Sequence, residues 1–440
     1  MSNAALPALL GGTPVRREPH PPFRTIGPEE RRLALEVLDD GVLSDFVAHD
    51  GPYFNGGARV KALEAEYCRA FGSKHAVAVN SATSGLHAAL LASLVGLGDE
   101  VIVPPFTMSA TATMVAAANA TPVFGDIDPQ SYCLDVNDVK RKLSLRTKAI
   151  LAVNLFGGPA ALDELRAIAD ARGIHLIEDN AQAPGGKRKG SYTGTIGHMG
   201  VFSLNFHKTI QCGEGGVVVT DDDVLAERLR LVRNHGEVVQ AQRATVPPEL
   251  AGLLGYNYRL TELQAAVALG QMRRLDELTE PRIQIANRLT SGLRGMPGVI
   301  TPEVAPGDKH VYYVYPIRVE PPLLGLSRAQ LKLALDAEGI VVAEGYTKPI
   351  YLYPMYQAAV AAKRTGFGAG IWHPEPGSAV TYEKGLCPVT ERMYFQELLH
   401  TTVCRHDLGP SAADEVTTAF AKILEHRERI RRELTARGVA

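Results

Sequence analysis

Between residues 75 and 179 short apolar runs alternate with stretches of helical spacing, and this rhythm limits the possible folds more than any other feature. The runs are HAVAV, EVIVPP, TPVFGD, KAILAVNLF and IHLIED; helical patterns such as SGLHAALLASLVGL, VNDVKRKLS and LDELRAIADARG lie between them. Apolar runs without polar alternation are strands covered on both faces. Strands that alternate with helices pair side by side into a mostly parallel sheet. The expected class is therefore α/β, a central sheet flanked by helices. VFSLNF and GGVVVTDD add two more strands, followed by a helix at DDVLAERLRLVRNHG.

The longest helical pattern, LTELQAAVALGQMRRLDELTEPRIQIANRLTSGLRGM, is expected to lead out of this unit. Beyond it, the strand HVYYVYPIRVE, the helix SRAQLKLALDAEG and the strand IVVAEGY predict a compact α+β unit. The expected division is a proline-rich N-terminal arm with a large domain over 1–280, and a smaller C-terminal domain over 281–440. A chain of 440 residues accommodates both.

Composition narrows the function classes. A net charge of −2 leaves no basic surplus for nucleic acid or an acidic membrane surface. No apolar run is long enough to span a bilayer, and the first residues lack the basic start of a signal peptide. Cys68, Cys133, Cys212, Cys387 and Cys404 are scattered without CxxC spacing, which predicts reduced thiols and no zinc site. The expected setting is the cytoplasm.

In open α/β sheets ligands sit at the carboxyl ends of strands. Four loops there carry suggestive residues. NSATSG, residues 80–85, offers hydroxyls and backbone N–H groups at a helix start, a cradle for phosphate; the same residues are also common helix caps. Asp179 closes a strand after apolar residues, where an ionised carboxylate needs a helix start or a cation as partner. Lys208, in FSLNFHKTIQCGEGG, follows Phe202, Leu204 and Phe206 and precedes a strand. Desolvation there lowers an amine's pKa and makes it nucleophilic; a lysine that snorkels to solvent is the plain alternative. GYNYRL, with Asn257 and Arg259, is by itself a polar surface loop. Together, an anion cradle, a strand-end acid and a desolvated lysine match the needs of pyridoxal phosphate.

The order of blocks resembles the DegT-type aminotransferases, fold-type I enzymes that aminate keto-sugars and keto-cyclitols. The blocks are LSDF, AVNSATSGLHAAL, GDEVIVPPFT, ATPVFGDID, LFGG, IEDNAQAPG, GVFSLNFHKTIQCGEGGVVVT, NHG and GYNYRLTELQAA. The resemblance implies pyridoxal phosphate as cofactor, with pyridoxamine phosphate carrying the amine from glutamate or glutamine to the ketone. It implies that Lys208 joins the cofactor as a Schiff base and shuttles the proton, and that Asp179 pairs with the ring nitrogen. Gln182 is placed near the ring's phenolic oxygen, and Ser203, Ala82 and Thr83 at the phosphate. Asn257 is placed on the phosphate of a neighbouring subunit, which implies a homodimer.

Two positions depart from the family pattern. Ala82 stands where glycine is common, and its N–H remains available. Met108, in PPFTMSAT, stands where an aromatic residue often covers the ring, so either Met108 through its thioether or Phe106 is expected to do so. The resemblance is slightly closer to cyclitol aminotransferases of antibiotic pathways than to the shorter nucleotide-sugar enzymes, and implies a place in antibiotic or surface-glycan biosynthesis. Tyr346, Lys348, Trp372 and His373 are candidates for an extra wall over the site, or for plain packing. Related dehydratases carry histidine in place of the lysine; here Lys208 is present, with His207 beside it. A metabolite-sensing regulator on the same fold would not need Lys208, Asp179 and Ser203 together. A nicotinamide dehydrogenase is set aside because no GxGxxG follows a strand.

Overall fold

The computed structural model describes residues 6–358 and 380–439. Seven strands form the main sheet, in the order His75–Val79, Gly216–Thr220, Met199–Ser203, His175–Asp179, Thr147–Val153, Glu100–Val103 and Thr121–Phe124. The last five pair in parallel. Gly216–Thr220 runs antiparallel to both of its neighbours, so His75–Val79 points the same way as the parallel set. The chain is therefore an α/β fold with a mostly parallel sheet. Nearly every residue of these strands is buried, as continuous apolar runs require.

One consequence of that direction is functional. Val79, Val103, Asp179 and Ser203 all end their strands at the same edge. Gly216 opens its strand there, in register with Val79 and Ser203. A Cβ on Gly216 would lie 2.7 Å from the Ala82 nitrogen and 2.9 Å from the Phe202 carbonyl oxygen, so only a bare backbone lets the 81–82 turn close onto the sheet.

The second sheet is antiparallel, in the order Val299–Ile300, Tyr315–Val319, Leu398–Thr401 and Ala343–Glu344. Its core gathers Leu289, Ile317, Leu331, Phe420 and Ile423. The expected long helix is two: Glu262–Arg273 and Leu275–Leu293, separated at Arg274 (φ −103°, ψ 13°). The second carries Leu275 and Leu278 in one apolar core and Ile285 to Leu293 in the other, and so connects the two. Part of the chain beyond residue 281 returns to the large core: Ile350, Tyr351, Tyr356, Tyr382 and Leu398 pack with the main sheet.

Two expected strands are shorter than their patterns. HVYYVYPIRVE pairs only over Tyr315–Val319, because Val311 N–H instead donates to Gly157 O (2.9 Å) and Tyr312 takes a left-handed φ of 51°. IVVAEGY pairs only at Ala343–Glu344. Among the described residues no helix is long and apolar enough to cross a membrane.

Candidate active site

A cavity of about 190 Å³ opens at the shared edge of the main sheet. One end is the start of the helix Ala82–Ala92. Ser81 Oγ caps it by accepting from Ser84 N–H (3.0 Å), and Ser81 O accepts from Gly85 N–H (3.0 Å). Among the described residues nothing accepts from the N–H groups of Ala82 and Thr83, both residues line the cavity, and a helix start favours an anion. Ser203 lines the same end.

Asp179 and Lys208 face this space, both buried. Asp179 Oδ2 accepts from Thr111 Oγ1 (2.8 Å), and Oδ1 accepts from Ala181 N–H (3.2 Å). Burial pushes its carboxyl pKa up, against those two donors and the nearby Lys208 charge. Burial lowers the Lys208 amine to about 8, opposed only by Asp179. No hydrogen bond or ion pair from a described residue holds Nζ, which sits 4.6 Å from the centre of the Tyr313 ring. An amine left this way is reactive near neutral pH.

The cover over Lys208 differs from the sequence expectation. Phe206 is 68% exposed, and Phe202 turns away to stack on Phe71 at 4.8 Å. Tyr313, remote in sequence, lies over the amine instead. Its backbone is brought there by the LFGG turn: Gly157 has φ +99°, and a Cβ on it would meet the nitrogens of Tyr312 and Tyr313 at 2.9 Å each. The only sequence signal for Tyr313 is the aromatic run VYYVY, which reads equally as strand packing. Thr111 was equally silent in sequence.

Gln182 is buried. Its Oε1 accepts from Phe156 N–H (2.8 Å) and its Nε2 donates to Tyr346 OH (2.9 Å). Tyr346 thus lines the cavity, whereas Lys348 is exposed and does not. Trp372 and His373 lie outside the described residues. Of the two expected ring covers, Met108 lines the cavity and Phe106 does not; Phe106 is fully buried against Phe156 and Tyr346. Asn257 is exposed and does not line its own chain's cavity. Its Oδ1 accepts from Arg259 Nε (2.8 Å).

A larger cleft of about 370 Å³ lies elsewhere, between Asp128, Arg188, Glu303 and His310. Its arginine is already paired with Asp163 and Asp308, so it offers no counterpart to the free amine of the sheet edge.

A parallel sheet that collects a buried free lysine, a strand-end carboxylate and an open helix start belongs to the fold-type I pyridoxal-phosphate enzymes. The comparisons place the chain more narrowly: it belongs to the DegT/DnrJ/EryC1/StrS aminotransferase family, which matches it over residues 44–370. It is 34% identical over 347 residues to the spore coat polysaccharide biosynthesis protein SpsC of Bacillus subtilis (strain 168), an alignment covering 78% of this chain and 86% of that one. Its fold is similar to DesV of S. venezuelae, solved in complex with a ketimine intermediate (32% identity, 90% and 94% of the two chains, TM-score 0.73). DesI, solved in the presence of its TDP-sugar product, is similar at 28% identity, with 98% and 99% coverage and a TM-score of 0.77. The chain is accordingly a pyridoxal-phosphate-dependent aminotransferase of a family that works on sugars.

The cavity's chemistry fits that cofactor. It presents an amine for an aldehyde, an under-satisfied carboxylate for a cationic nitrogen and free N–H groups for a phosphate.

Proposed function

We propose that this enzyme moves an amino group from glutamate or glutamine to a ketone on a sugar or cyclitol, in the cytoplasm and as a homodimer. The single observation that carries the reading is the buried, unpaired amine of Lys208 facing the cavity. Pyridoxal phosphate, when bound, supplies the aldehyde that carries the amine and a ring that accepts electrons as the proton is moved. Lys208 Nζ, neutral once freed, takes and returns that proton. Tyr313 keeps water from the amine. Among the described residues Asp179 has only Thr111 and Ala181 as donors, which leaves its charge for a cationic ring nitrogen.

Ala82 and Thr83 N–H and the Ser203 hydroxyl hold the phosphate, while Met108 covers a ring face. Asn257, exposed and outside its own cavity, reaches the phosphate of the partner's site. In this reading residues 1–280 form the cofactor domain, and the small domain, 281–440, contributes Tyr313 and Tyr346 as a wall. The likeness to DesI, solved with its TDP-sugar product, supports a nucleotide-linked keto-sugar over a cyclitol, and the likeness to SpsC, a spore coat polysaccharide protein, supports a role in glycan assembly.

The test is purified protein with keto-sugar nucleotides and inosose-type ketones, each with several amino donors. A product that gains nitrogen is expected. Loss of water without nitrogen would mark a dehydratase. An absorbance spectrum unmoved by any amino donor would mark a sensor.

A further inference from the structure

Gln182 and Tyr346 share a hydrogen bond whose direction is fixed. Phe156 N–H occupies Gln182 Oε1, so the amide cannot be flipped and Nε2 must be the group that faces Tyr346. The phenol oxygen therefore accepts, and its own proton is directed elsewhere. Burial raises the Tyr346 hydroxyl to about 12, so that proton stays in place at any ordinary pH. No described residue accepts it, and Tyr346 lines the cavity. The ring is held from several sides: Phe156 meets it edge-on at 4.9 Å and His400 at 5.6 Å, while His400 Nδ1 contacts Gly345 O at 2.8 Å. This is a donor positioned before any ligand arrives.

We infer that the Tyr346 O–H is the specificity contact for the acceptor, donating to a hydroxyl that the ketone substrate keeps. This rests on the transaminase reading above. Both residues line the cavity, but Gln182 is only 3% exposed whereas Tyr346 keeps partial exposure, which leaves its hydroxyl the more accessible of the two to an incoming substrate. The carbonyl oxygen of the acceptor leaves as water when nitrogen takes its place. A contact that persists through the reaction must therefore fall on a retained oxygen. A polyhydroxylated ketone supplies several; the amino-acid donor keeps carboxylate oxygens of its own, so the donor half-reaction is the control that separates the two.

The test uses the cofactor-loaded enzyme, Tyr346→Phe, the keto-sugar or inosose that wild type aminates best, and the monodeoxy analogues of that ketone. For Tyr346→Phe, the melting temperature should fall by a few degrees, because the buried Gln182 Nε2 loses its acceptor; the pH titration of the cofactor absorbance and the single-turnover rate with the amino donor should match wild type. KM for the ketone should rise about tenfold, the scale of one neutral hydrogen bond. One monodeoxy ketone should cost wild type a similar factor and cost Tyr346→Phe nothing more, the mark of a shared contact. The inference is overturned if every deoxy ketone penalises both proteins equally. It is also overturned if the donor half-reaction falls as much as the ketone step, or if the absorbance titration moves, which would assign the hydroxyl to the cofactor. A wild type that aminates no ketone at all would instead take down the transaminase reading, and this one with it.

Discussion

Two lysines of this chain are buried almost equally, Lys208 at 8% exposure and Lys422 at 9%, and both lie near a carboxylate. Lys422 is paired. Its Nζ donates to Glu338 Oε2 (2.9 Å) and Thr13 O (2.5 Å). Glu338 in turn accepts from Ala8 N–H (2.7 Å) and Val15 N–H (3.0 Å), so the pair fastens the N-terminal arm to the second core. Among the described residues, Lys208 has only a ring face and the field of Asp179. The same contrast separates two adjacent acids. Glu178 accepts from Gly194, Ile196 and Gly197 N–H and from Asn154 Nδ2, while Asp179 has two donors. Burial alone does not mark a reactive group; burial with partners withheld does.

The sharpest way to break this comparison is to remove the Lys208 amine and, separately, the carboxylate that holds Lys422. Lys208→Ala should lower transamination by at least about 10³-fold, the range of a lost acid–base group, and abolish borohydride-trapped cofactor while leaving the melting temperature nearly unchanged. Glu338→Gln should do the reverse. Leaving Lys422 without its counter-charge should cost about 3 kcal/mol in chemical denaturation, with little change in turnover per folded molecule. If Glu338→Gln is as stable as wild type, the structural role given to that pair is wrong.

Next in size, Asp179→Asn should reduce kcat about 10²-fold, with the isosteric Glu178→Gln reading out mainly as lost stability. The smallest effect is on pH. In the cofactor-free protein, competitive acetylation of the Lys208 peptide should show a midpoint near 8. Asp179 raises that amine's pKa, so Asp179→Asn should move the midpoint lower; a move upward would contradict the assigned field. The linked stability follows the same sign. Burying the charged amine costs stability below about 8, and that cost fades as pH rises towards the ordinary lysine range.

Much of this was legible in the chain. Apolar runs such as KAILAV and IHLIED form the expected parallel strands because burial on both faces leaves no other use for them. Ala82, Asp179 and Lys208 converge because Asp179 closes a strand, and the other two follow strands, that end at the same edge. The failures were long-range. Tyr313, Thr111 and the Gln182–Tyr346 bond depend on segments brought together by the fold, to which local periodicity is blind. Phe206 departs from the expectation because it shares an exposed turn with His207, between the buried Leu204 and Lys208. The strand predicted from His310 loses its first half to Gly157, a partner from the other sheet's side of the chain.

That junction has a mechanical reading. Val311 and Val314 hang from the carbonyl oxygens of Gly157 and Phe156 (2.9 and 3.3 Å), so the lid over the amine is gauged by main-chain atoms. Side chains around it can drift without misaligning it. A single added methyl at residue 157 would jack the two halves apart and let water in.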